Sequence, residues 1–136
     1  MATKAELEHF FRTDFPQADF IIERVGEKSA TIRKKVSPEH LRPGGTVSGP
    51  VLMELADAAL YVTILSEIGL VAMAVTTNLN INFLRKPSAD KDIIAKCTLI
   101  KLGKSLAIGE VSIYSEDLAE PVAHAVGTYS IPPAKR

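Results

Sequence analysis

Charge of a prevailing sign is missing from this chain. Lysine plus arginine and aspartate plus glutamate stand at 16 each in 136 residues, so nothing marks nucleic acid or an anionic membrane surface as a partner. Cysteine is nearly absent. Cys97 stands alone, which excludes an internal disulfide framework and a cysteine-based zinc cluster, and its place in a strand-like run reads as a buried, inert thiol. Histidine is scarce, with His9, His40 and His124 scattered too widely for a metal site. The longest apolar run starts at Ala58 and is broken by Thr63, Ser66 and Glu67, too soon to span a membrane. A signal-peptide pattern, an internal repeat, a linker and a low-complexity tract are also missing. The expectation is one domain over residues 1–136, working in the cytoplasm.

What is present centres on residues 44–69, a glycine turn and Pro50 followed by about five turns of helix. Leu52, Leu55, Ala56, Ala59, Leu60, Thr63 and Ile64 form a stripe at helical spacing, and so little else is polar that burial is expected almost all round. Two carboxylates break the pattern. Glu54 and Asp57 lie three residues apart on one face, with Tyr61 a turn further along. A carboxylate in an apolar helix is unfavourable unless something compensates it, and that makes this face the first candidate site.

Before this helix, residues 3–11 have helical spacing, with Thr3 and Glu6 placed as a capping box and Pro16 as a stop. From Asp19 the period becomes two. Phe20, Ile22 and Val25, then Ala30, Ile32 and Val36, predict a hairpin with one wet face. After Gly69, residues 71–84, 92–102, 105–115 and 121–131 read as four strands in a meander, ending in Pro132-Pro133 and a basic tail. The expected architecture is α+β, a curved antiparallel sheet wrapped round one long helix, with leftover apolar surface buried in a dimer.

Four stretches resemble the hotdog-fold acyl-CoA thioesterases, the PaaI-type branch in particular. They are the run from His40 to Pro50, then Leu55-Ala56-Asp57, then Asn80-Ile81-Asn82-Phe83-Leu84, and Lys101-Leu102-Gly103-Lys104-Ser105-Leu106-Ala107. The similarity runs over residues 20–131, and the spacing from glycine turn to Asp57 is its most specific part. The resemblance implies hydrolysis of a coenzyme A thioester. It puts Asp57 at the catalytic carboxylate, as base or nucleophile, and Gly49 at the glycine whose backbone N–H polarises the thioester carbonyl. It puts Thr76 where a hydroxyl helps place water. It further implies that glycine and carboxylate come from opposite subunits of a homodimer or a dimer of dimers. No cofactor is expected beyond the coenzyme A of the substrate. Where the family commonly has His-Gly-Gly, this chain has Ser48-Gly49-Pro50, and Arg42 stands where asparagine is frequent.

Each candidate has a plainer reading beside the functional one. Asp57 can be a structural carboxylate. Glu54 reads first as a salt-bridge partner near the dimer seam, with Arg42 as one possible mate. Tyr61 lines the acyl pocket or simply packs. Ser48 lacks a placed histidine and the Gly-x-Ser-x-Gly elbow, so it reads as a helix cap or turn hydroxyl. His40 either approaches the site or is a loop residue, and His124 is structural. Arg85, Lys86, Lys101 and Lys104 bracket strand ends, where basic residues of the family meet the coenzyme's phosphates or form a solvated rim. Two alternatives to hydrolysis stand: a weakly active or inactive module that binds acyl-CoA, and a hydratase or dehydratase, for which His40 is the nearest histidine.

Overall fold

The computed structural model describes residues 1–133, so the Lys135 and Arg136 of the basic tail lie outside the described residues. Helix α1 spans Lys4–Asp14, strands β1 Ile21–Gly26 and β2 Ser29–Lys34, helix α2 Gly49–Ile68, and strands β3 Val75–Phe83, β4 Ile93–Leu102, β5 Leu106–Ser115 and β6 Ala123–Ser130. The six strands form one antiparallel sheet in the order β1-β2-β4-β5-β6-β3. This is the hotdog architecture expected, a sheet curved round one long helix.

Helix α1 starts at the capping box read from the sequence. The Glu6 amide donates to Thr3 Oγ1 at 3.2 Å, and the Thr3 amide donates to Glu6 Oε1 at 2.9 Å. Leu7, Phe10 and Phe11 form its buried face. Helix α2 is buried from Leu52 to Ser66 except at its two acidic turns, and it ends at Gly69, whose φ of 97° a residue without Cβ tolerates best. Its buried hydroxyls are satisfied within the helix, Thr63 Oγ1 donating to the Ala59 carbonyl and Ser66 Oγ to the Thr63 carbonyl.

The sheet can close round α2 because its inner face is lined by small residues. Ala95, Ala107, Ala123 and Ala125 are buried there, and Gly109 faces Gly127 across β5 and β6. Those two glycines form a socket for Leu60, which is fully buried. A Cβ on Gly109 would stand 2.8 Å from Leu60 Cδ2, and one on Gly127 would collide with Leu60 Cδ1.

The four-stranded meander is a correction. Only β4, β5 and β6 form one. β3 pairs with β6, and β4 pairs with β2. Residues 84–92 are therefore not a hairpin turn but a crossover past the ends of β6 and β5. The amides of Leu84 and Arg85 both donate to the Val122 carbonyl, at 2.8 and 3.2 Å. Further on, Ser88 Oγ donates to Asp117 and its amide to the buried Ser115 hydroxyl, while the Glu116 amide donates to the Asp92 carbonyl. The Arg85-Lys86-Pro87-Ser88 breaker reads the same for a tight turn and for a crossover, so spacing alone does not separate them.

Among the described residues no helix is long and apolar enough to cross a membrane.

Candidate active site

A cleft of about 690 Å³ opens between α1, the segment after it, α2 and the near ends of β2, β3 and β6. Four of the five phenylalanines and two of the three tyrosines line it: Phe10, Phe11, Phe15, Phe20, Tyr61 and Tyr129. The rings pack edge to face, Phe11 with Phe20 at 5.1 Å and with Tyr61 at 5.7 Å, while Tyr61 stacks on Tyr129 at 5.9 Å. Glu54 and Asp57 share this wall, as their spacing on α2 requires.

Asp57 is held at one oxygen. Thr76 Oγ1 donates to Asp57 Oδ1 at 2.6 Å, and Tyr129 Oη donates to the same atom at 2.8 Å. Among the described residues nothing donates to Oδ2. One oxygen is thus oriented by two hydroxyls and the other is left to the cleft. Burial, first, and then the Asp57 charge push the Tyr129 phenol well above its ordinary value, so it remains a donor.

Thr76 reaches Asp57 through a β-bulge. β3 pairs in register from Asn78 to Phe83 with β6, and its Asn78, Asn80 and Asn82 sit opposite Thr128, Val126 and His124. Regular alternation would put Thr76 on that same face. The register slips by one residue at Thr77, so Thr76 lies opposite Tyr129 on the inner face instead. The Thr77 hydroxyl closes the irregularity with a 3.3 Å bond to the Thr128 carbonyl.

Gly49 sits elsewhere. It is eight residues before Asp57, roughly 12 Å along the helix axis, and it does not line the cleft. It opens α2 beneath the Phe83 ring, which would stand 3.3 Å from a Cβ at this position. Ser48 occupies the N-cap position, but its side chain makes no capping bond; its amide donates to the His40 carbonyl at 2.9 Å and its carbonyl accepts from the Leu52 amide at 3.3 Å. With no side-chain cap, and with Pro50 lacking an N–H, the Gly49 and Val51 amides are the first-turn donors of this helix end. The turn before it is tight, Arg42 and Thr46 bonding through their backbones and Gly44 and Gly45 taking φ of 102° and 79°.

The other candidates fall outside the cleft or have structural partners. Tyr61 both lines the cleft and packs, with its hydroxyl on the Ala72 carbonyl at 2.9 Å. Glu54 is exposed and makes no ion pair with Arg42. His40 Nδ1 accepts from the Ser37 amide at 3.0 Å, which makes it a loop brace, and it does not line the cleft. Arg85 is engaged with Glu120 at 2.5 Å and with the Pro121 carbonyl at 2.6 Å. Arg42, Lys86 and Lys104 have no ion-pair partner among the described residues. His124 meets Glu110 at 3.4 Å on the outer sheet face. Cys97 is buried, its thiol pushed up to about 11 mainly by desolvation.

Two residues of the cleft escaped the sequence reading. Tyr129 ends the inner-face series Ala123, Ala125, Gly127, and as its one large member it is a visible signal. Lys34 continues Ala30 and Ile32 at period two, inward, where the sequence reading passed on to Val36. It is 5% exposed and lines the cleft.

The thioesterase superfamily model matches residues 44–122. A protein from Silicibacter sp. TM1040, provisionally named a thioesterase, is 42% identical, with a TM-score of 0.88 over 96% of this chain and 92% of its own. The PaaI protein of the E. coli phenylacetic acid degradation operon is 23% identical, with a TM-score of 0.79 over 93% and 94%. A hypothetical thioesterase from Streptococcus pneumoniae TIGR4, solved with coenzyme A, is 22% identical, with a TM-score of 0.79 over 94% and 98%. At such identities the last two speak for the fold. The matched residues take in the glycine turn, all of α2 with Asp57, and Thr76, and on that ground this chain belongs to the thioesterase superfamily, as a thioester hydrolase with the hotdog fold.

Proposed function

We propose that this protein hydrolyses an acyl-CoA to free acid and coenzyme A, with Asp57 activating water or attacking the thioester carbonyl. The observation that carries this reading is the carboxylate itself: Oδ1 held by Thr76 and Tyr129, Oδ2 left to an aromatic cleft. A base fixed at one oxygen keeps the other in a constant direction, which is what proton transfer or in-line attack requires. Thr76 positions the carboxylate and shares the water with it.

The developing oxyanion needs a donor, and the Thr76 and Tyr129 hydroxyls beside Asp57 are already given to its carboxylate. The Gly49 N–H, at the positive end of the α2 dipole, is a suitable one. Along one helix it is too far from Asp57 for a single carbonyl to meet both, which favours a site completed by a second copy of the chain. The free edge of β3, bearing the exposed Val75 and Phe83, supports such pairing, in a homodimer or a dimer of dimers. Arg42, Lys86 and Lys104 then serve the coenzyme's phosphates, and Arg85 does so only by releasing Glu120. Ser48 borders the oxyanion donor, while Glu54 and Tyr61 border the acyl group. The coenzyme A in the streptococcal relative agrees with this substrate class.

Hydration of an enoyl-CoA is disfavoured because His40, its nearest histidine, is a loop brace outside the cleft. Binding without turnover keeps one observation in its favour, the oxyanion donor that Pro50 removes from the helix end. Free-thiol release from a panel of acyl-CoAs decides. Asp57→Asn should lower it by roughly 10² or more, and full activity in that variant contradicts the mechanism.

A further inference from the structure

Among the described residues one cation lines the cleft. Lys34 Nζ donates to the Asp19 carbonyl at 2.9 Å and lies 4.0 Å from Asp19 Oδ2, on a side chain 7% exposed. An ammonium has three N–H donors. One goes to the Asp19 carbonyl, with the Asp19 carboxylate close by, and the others are available to a group entering the cleft that Lys34 lines. We infer that Lys34 reads the far end of the acyl group by donating to an oxygen carried there. The inference deepens the proposed hydrolysis and rests on that reading for the orientation of the substrate.

Position and charge narrow the chemistry. β2 is separated from β6 by β4 and β5, so Lys34 and the Thr76–Tyr129 pair belong to opposite ends of the cleft. A thioester held at Asp57 therefore sends its acyl group past the aromatic rings toward Lys34. The oxygen it meets should be neutral. Asp14, Asp19, Glu54 and Asp57 all line the same cleft against this single lysine, so a terminal carboxylate enters a field already negative. What Lys34 has to offer is hydrogen-bond donors, and a hydroxyl or ketone oxygen accepts them without adding charge. A wholly apolar chain leaves them unmet.

The test compares ω-hydroxyacyl-CoAs, from hexanoyl to dodecanoyl length, with their unsubstituted parents. In the wild type one length should show a preference for the hydroxyl of roughly tenfold in kcat/KM, carried mainly by KM. Lys34→Met, close in size and without donors, should abolish it. Lys34→Arg, a longer donor, should move it to a shorter chain, and this variant decides if Lys34→Met does not fold. Equal rates for hydroxylated and parent chains in the wild type overturn the inference, as does a preference that survives Lys34→Met or keeps its length in Lys34→Arg. If no thioester is cleaved, the hydrolytic reading fails separately, and the same compounds are compared as ligands by calorimetry. Affinity gained through the hydroxyl and lost in Lys34→Met sustains the role of Lys34, and its absence overturns it.

Discussion

Asp57 takes both hydroxyl bonds on a single oxygen, and each donor can be removed without disturbing the ring or the strand that carries it. Tyr129→Phe and Thr76→Val should each lower kcat about tenfold, with little change in KM, since each bond orients the carboxylate rather than the substrate. Together they should cost less than the product of the two, because both act on Oδ1. With its phenol pushed up by burial, Tyr129 does not titrate in the working range, so Tyr129→Phe should leave the alkaline limb of the kcat profile in place. A limb that moves contradicts this role. Cys97 gives a stability prediction with a defined sign. Its thiol ionises near 9.0 when unfolded and at about 11 when folded. Between those values only the unfolded chain sheds the proton, so stability falls as pH rises through that window. Cys97→Ala should flatten the pH dependence of Tm there, and an unchanged slope sinks the assignment.

The long helix and its sheet meet through Leu60 and the two glycines opposite it. Gly127→Ala puts a methyl group into Leu60, and the overpacking should lower stability by about 1–3 kcal/mol in denaturant unfolding. Gly103→Ala, at a turn whose neighbours lie 3.3 Å or more from a Cβ, is the milder comparison. Equal stability of the two variants contradicts the socket. At this scale the sequence was legible where the pattern is local. Thr3 and Glu6 announce the start of α1, the apolar run between Ser48 and Gly69 announces α2, and the strand boundaries lie within a few residues of those read by alternation. It was not legible where a local signal has two outcomes. Arg85 to Ser88 mark a break but not whether the chain turns back or crosses β6 and β5. The bulge at Thr77 leaves no mark in composition, yet it decides which face Thr76 occupies. Lys34 sat in plain alternation with Ala30 and Ile32 and was passed over because a lysine is rarely buried.

Across the whole molecule, the proposed reaction needs more than one chain. In the proposed site Gly49 and Asp57, eight residues apart on one helix, are contributed by different copies, and β3 carries an open edge with apolar side chains. Sedimentation should therefore show an assembly of at least two copies, and a stable monomer with full activity contradicts the shared site. The most direct test mixes two variants that are each inactive. Asp57→Asn removes the carboxylate, and Gly49→Val fills the space at the helix end against the Phe83 ring. Unfolded and refolded together, they form mixed dimers in which one cleft has both native groups. Thiol release should return to about a quarter of the wild-type rate, the share expected for random pairing. No recovery from well-folded mixed dimers would place glycine and carboxylate in the same chain's site and contradict the account.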